Sequence, residues 1–181
     1  MRTFLSALAA LLFFSLSVLP KAGEVEELAG YRLEPYRAPT PRSLTGATTL
    51  DTAAAERVWR EGSALFVDVM SRDVRPAKLP AGTLWRDRRR DNIPGSVWLA
   101  NVGYGVLGQE MEAYFRHSLE ELTAGDHSRA LVFYCQMHCW MSWNAAKRAI
   151  ALGYTRVHWY PDGTEGWSAA GLPLAEAQPR P

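Results

Sequence analysis

Apolar positions along the chain change their spacing several times, and each change predicts an element. Phe4 to Leu19 is an almost unbroken apolar run behind Met1 and Arg2, ended by Pro20, Lys21 and the acidic GEVEE. That layout is a secretory signal peptide over 1–22, with Ala22 and Ser17 as rival last residues before the cut, and the run is too short for a comfortable membrane anchor. Residues 23–46 have no period, and Pro35, Pro39 and Pro41 forbid a regular helix, so they predict an extended arm laid over a domain. TAAAERVWRE then reads as a helix with Asp51 as N-cap and Gly62 at its end. Ala64 to Val69 (ALFVDV) reads as a buried strand, and IPGSVWLAN as a turn leading into another. Met111, Phe115, Leu119 and Leu122 recur at helical spacing. Ala130 to Tyr134 (ALVFY) is the most strand-like run. NAAKRAIALG predicts a helix with Lys147 and Arg148 outward, and TRVHWY returns as a strand.

Strands alternating with helices predict an α/β domain over 47–175, with a central parallel sheet of four to five strands and helices on both faces. Residues 176–181 are expected to be a disordered tail. Once the leader is removed, the length suits one domain with its own core. Twenty Lys and Arg against 19 Asp and Glu leave a net charge of +1, which gives no electrostatic case for nucleic acid or an anionic membrane. The exception is Trp85 to Asp91 (WRDRRRD), readable as a solvated loop or as a basic rim for a small anion.

The candidate chemistry lies in one place. Phe133 to Trp143, FYCQMHCWMSW, contains both cysteines of the chain. Cys135 directly follows a predicted strand and precedes a helix, which is the ligand-binding edge of a parallel α/β sheet. A thiol there faces unpaired N–H groups and a positive helix end, and ionises more readily. In an exported protein, two neighbouring thiols can also pair, since cysteines four apart can reach disulfide geometry. Three readings stay open. Cys135 and Cys139 are a redox or sulfur-carrying pair, with Cys135 attacking and Cys139 resolving. Alternatively Cys135, Cys139, His138 and Met137 are soft ligands for copper, the remaining histidines (His117, His127, His158) offering little for zinc. In the third reading the pair is a structural disulfide in a partner-binding module, with Trp140, Met141 and Trp143 as a contact patch.

From Val67 to its end the chain resembles a rhodanese-like domain. Asp68 in FVDV matches the family's strand-ending Asp, Ile93-Pro94-Gly95-Ser96 its I-P-G-A turn, and LVFYC the strand that delivers the active cysteine. GYTRV and Trp167-x-x-x-Gly171-x-Pro173 match its tail. The resemblance implies that Cys135 holds the catalytic position, in a loop with Gln136, Met137, His138, Trp140, Met141 and Ser142, supported by Asp68. This loop departs from the family's C-x-x-G-x-R-S: His138 replaces Gly, Ser142 comes one residue late, and no Arg lies within it. Arg72, or an arginine of WRDRRRD, would have to supply that charge.

A narrower resemblance adds GYRLEPYRAPTP, LPAGTLWR, NIPGSVWL and CWMSWNAAKRA. Together these resemble the exported PQQ-dependent catabolism-associated CxxCW-motif proteins. That likeness implies a periplasmic accessory of alcohol oxidation by pyrroloquinoline-quinone enzymes, partnered with such a dehydrogenase or its electron acceptor. PQQ would enter only through the pathway and would not be bound by this chain. In this sequence the spacing is C-x-x-x-C-W.

Overall fold

In the computed structural model, the described residues are 25–73, 75–86 and 88–181. The expected signal peptide lies outside them. Five strands, β1 (Ala47–Thr49), β2 (Leu65–Asp68), β4 (Val97–Trp98), β5 (Leu131–Tyr134) and β6 (Val157–Tyr160), form one sheet in the order β1-β6-β5-β2-β4. Every pairing in it is parallel. A separate antiparallel pair joins β3 (Arg90–Asn92) to β7 (Ala175–Ala177). The helices are α1 (Thr52–Arg60), α2 (Gln109–Thr123), α3 (Trp140–Ala151) and α4 (Gly163–Ala169).

Both faces of the sheet are covered, because successive strand side chains alternate sides. Leu131, Phe133, Val157 and Trp159 pack with Phe115 and Leu119 of α2 and with Trp143, Ala145 and Ala149 of α3. Val132, Tyr134 and Tyr160 point the other way, toward Ala55 of α1 and Trp167 of α4. This is the α/β architecture that the sequence pattern predicts. Asp51 caps α1 through a 2.8 Å bond from the Ala54 N–H. Among the described residues no helix is long and apolar enough to cross a membrane.

Two expectations are corrected. The C-terminal residues are tied down: β7 pairs with β3, the Arg180 N–H donates to the Trp98 carbonyl (2.8 Å), and the Tyr114 hydroxyl donates to the Arg180 carbonyl (2.8 Å). Their polarity suits an edge pairing whose side chains stay wet, which composition alone reads as disorder. Arg148 is also not outward. It is buried, donates to the carbonyls of Val102 (3.0 Å) and Tyr104 (3.1 Å), and lies over the Tyr31 ring. The loop 102–105 leaves those carbonyls without strand partners, and the guanidinium fork supplies their donors.

Residues 25–46 run along α3 and are bonded to it. Asn144 is fully buried and clamps the arm: its Oδ1 accepts from the Arg32 N–H (2.8 Å), and its Nδ2 donates to the Arg32 carbonyl (2.9 Å). The same Nδ2 donates to the Gly103 carbonyl (2.9 Å). The indoles of Trp140 and Trp143 donate to the carbonyls of Pro39 (3.0 Å) and Ser43 (3.2 Å). Gly103 must be glycine, since a Cβ there would lie 2.5 Å from the Met141 carbonyl oxygen. Replacing Asn144 with alanine leaves three main-chain groups unpartnered and is expected to cost about 1–2 kcal/mol. Faster proteolytic cleavage within 25–46 should accompany that loss, and unchanged cleavage would show that the arm is held by its other contacts.

Candidate functional site

The site is built where β5 ends. Cys135 follows the last strand residue, and α3 begins at Trp140 with Cys139 as its N-cap residue. Cys135 and Cys139 are joined by a disulfide with a Cα separation of 6.2 Å. Neither sulfur lies open: Cys135 is fully buried and Cys139 is 4% exposed. The bond closes a loop of Gln136, Met137 and His138, of which the first two are half-buried and His138 is exposed. His138 has φ 57°, the left-handed region where a side chain costs about 1–2 kcal/mol. This is the position where the resembling family places glycine. Among the described residues, no hydrogen bond brings His138 or Met137 to the cysteine sulfurs.

Trp140, Met141 and Ser142 belong to the first turn of α3 rather than to the loop, and all three are buried. The Ser142 hydroxyl donates to the Cys139 carbonyl (3.0 Å) and accepts from the Trp159 indole (3.0 Å). It therefore fixes the helix start and has no free proton to offer a ligand. The arm covers the other side of the loop. Arg37 bridges Cys139 in antiparallel fashion, the Trp140 N–H donates to the Tyr36 carbonyl (2.9 Å), and the Ala38 N–H donates to the His138 carbonyl (2.9 Å). One N–H at the start of α3, of the kind that cradles anions at helix N-termini, is thus used by the protein itself.

The residue that the sequence pattern does not single out is Arg90. Its Nε donates to the Asp68 carboxylate (2.8 Å) and its Nη2 to the Cys135 carbonyl (3.1 Å), with Nη1 3.4 Å from the Thr164 hydroxyl. Asp68 is wholly buried, and its other oxygen accepts from the Met70 N–H (2.9 Å). Burial pushes the Asp68 carboxyl above its ordinary range, and the Arg90 guanidinium opposes that shift. Burial also drives the neighbouring Tyr134 hydroxyl well above its ordinary value, with the Asp68 charge adding to it. The Cys135 carbonyl further accepts from the Thr164 N–H (3.1 Å). Gly163, at φ 52°, makes that approach possible, because a Cβ would sit 2.5 Å from the Cys135 oxygen. Arg90, from β3, thus donates to the backbone of the cysteine loop, which carries no arginine of its own.

Beside the disulfide lies a cleft of about 220 Å3, lined among others by Met70, Arg72, Arg88, Arg89, Arg90 and Gln136. Its basic rim is partly neutralised: Arg88 faces Asp73 (3.5 Å), and Arg89 faces Asp91 (2.9 Å) and Glu176 (3.8 Å). Arg72 holds its place through its backbone N–H, which donates to Asn101 Oδ1 (2.9 Å). At the inner end, Met70 Sδ lies 3.4 Å from Cys135 Sγ.

A parallel α/β sheet with a strand–cysteine–helix edge defines the class. The family model of the rhodanese-like domain matches residues 52–170, and the chain belongs to that family. No curated protein matches it significantly. It is similar in structure to a thiosulfate sulfurtransferase from Pseudomonas aeruginosa, with 18% identity and a TM-score of 0.50 over 74% of this chain. It spans only 21% of that enzyme's chain, and the likeness is one of fold. It is also similar to the human single-domain sulfurtransferase TSTD1, with 22% identity and a TM-score of 0.43 over 68% of this chain and 96% of that one.

Proposed function

We propose that this protein is a thiol–disulfide exchange protein on a rhodanese-like scaffold. It acts in the periplasm as an accessory of PQQ-dependent alcohol catabolism. The observation that carries the chemistry is the Cys135–Cys139 bond, formed at the point where a sulfurtransferase would keep a single thiol open for a transferred sulfur. Cys139 occupies the space an added sulfur on Cys135 would need, and Arg90 spends two of its donors on Asp68 and the Cys135 carbonyl. Placement in the periplasm and in the PQQ pathway rests on the apolar leader and the sequence resemblance. A stable pair suits an oxidising compartment.

Geometry favours Cys139 as the sulfur that meets the partner, the reverse of the order suggested by chain position. It is the less buried of the two and caps a twelve-residue helix, whose N-terminus stabilises a thiolate. A partner thiolate attacks Cys139 Sγ, the Cys135–Cys139 bond breaks, and its electron pair leaves on Cys135 Sγ, which takes a proton. A second partner thiolate then attacks the mixed disulfide. The partner departs as a disulfide, and two electrons and two protons remain on the pair. The partner is a cysteine-bearing dehydrogenase of that pathway or its electron acceptor.

Trapping in periplasmic extracts, with thiols blocked at lysis, tests this reading. Cys135→Ser should accumulate a reducible adduct through Cys139, and Cys139→Ser should accumulate none. Equal behaviour of the two variants would refute the assignment. A reducible extra sulfur atom on Cys135 in the wild-type protein would restore sulfur transfer.

A further inference from the structure

We infer that the reduced pair, together with Met70, forms a trigonal site for a cuprous ion. The site rests on the exchange reading only in that the disulfide must be able to open. Three sulfurs lie in sequence: Cys139 Sγ is bonded to Cys135 Sγ, and Met70 Sδ lies 3.4 Å from Cys135 Sγ. Met70 is held there from both sides of its peptide. Its N–H donates to Asp68 (2.9 Å), and its carbonyl accepts from the Trp98 indole (2.7 Å).

Metal–sulfur bonds of about 2.3 Å in a trigonal plane place the sulfurs roughly 4 Å apart. The Met70 and Cys135 sulfurs therefore part by roughly 0.6 Å, and Cys139 Sγ moves away from Cys135 as reduction allows. The 6.2 Å Cα spacing accommodates both states. Two thiolates and a thioether are soft donors suited to Cu(I), and three of them fall short of the four ligands a structural zinc site takes. Among the described residues no three of His, Cys, Asp and Glu cluster to offer a harder site.

The charges agree. Two thiolates and one cuprous ion leave a net charge of −1, facing the N-terminus of α3, while the Arg90–Asp68 pair beside the Cys135 carbonyl adds no net charge. The arginine-lined cleft opens at Met70. It disfavours a bare cation and attracts a cuprous ion carried as an anionic thiolate complex. For loading, a dithiol or phosphine reduces the disulfide and is itself oxidised. Cu(I) then binds as the two thiols release two protons and the carrier thiolates leave.

The test is anaerobic titration of the phosphine-reduced, full mature chain with Cu(I) against bathocuproine disulfonate, followed by X-ray absorption on the loaded protein. One equivalent should bind, with three sulfur neighbours, and the oxidised protein should bind none. Met70→Leu, close in volume, should weaken binding on the order of tenfold or more while the oxidised protein keeps the thermal midpoint of the wild type. Equal affinity in Met70→Leu, or two-coordinate sulfur in the wild type, overturns the site. So does equal binding by the oxidised protein. Copper binding without partner trapping would keep this inference and remove the exchange reading; trapping without copper binding would do the opposite.

Discussion

Arg90→Leu is expected to cost about 3–5 kcal/mol of stability, more than the loss of the Asn144 clamp or of the disulfide. Asp68 is completely buried and Arg90 is the cation bonded to it, at 2.8 Å, with 13% of the arginine side chain exposed. Without that partner the carboxylate keeps one backbone N–H, from Met70, and its charge stays in a low dielectric. The effect should depend on pH in a definite direction. Burial already raises the folded-state pKa of Asp68 above its unfolded value, and losing the guanidinium raises it further. Between those two values the folded state binds more protons than the unfolded state, so stability falls as pH rises. Urea midpoints should therefore show a larger deficit for Arg90→Leu at pH 8 than at pH 5. Adding Asp68→Asn should recover part of it. A deficit below about 1 kcal/mol, or one independent of pH, would mean that the pair is not the keystone of this edge.

Opening the disulfide is expected to cost less, about 2 kcal/mol, because the loop it closes is so short. The cysteines are only four apart, so little chain entropy is removed from the unfolded state. In a domain of this size the loss corresponds to a fall in Tm of roughly 4–8 °C on adding reductant. The Cys135→Ser, Cys139→Ser double variant should behave like the reduced protein and no longer respond to reductant. A much larger fall would show that the arm and loop come away together when the bond opens. No fall at all would leave the pair without a structural role.

Local signals account for what was legible. Leu131–Tyr134 is buried at every position, and its apolar run announces a strand; Asp51 sits one residue before α1 and caps it. The beginning of α3 was harder, because nine of its twelve residues are buried, sheet on one side and arm on the other. Such a helix loses the one-sided period that marks an amphipathic one. For α4, a short helix with glycines at 163 and 166, there is no period to read. The pair of cysteines was visible, and so was the absence of an arginine between them. The bond from Arg90 to the Cys135 carbonyl was not, since the two lie 45 positions apart and nothing local to WRDRRRD distinguishes Arg90 from its neighbours. Met70 and Gly163 were equally hidden, for they matter only through what the fold brings beside them.

The clamp between Arg32 and Asn144 has a consequence for the order of events in the making of the protein. Its two ends are 112 residues apart. At 5–20 residues per second, roughly 6 to 22 s separate the synthesis of the arm from that of its seat on α3. Through that interval the arm has nothing to dock on. Closure of the arm is therefore a late event, and the cysteine loop is covered only once the arm seats on it. Until the last of α3 is made, the arm is an unseated segment of the growing chain, and the loop it later covers stands open.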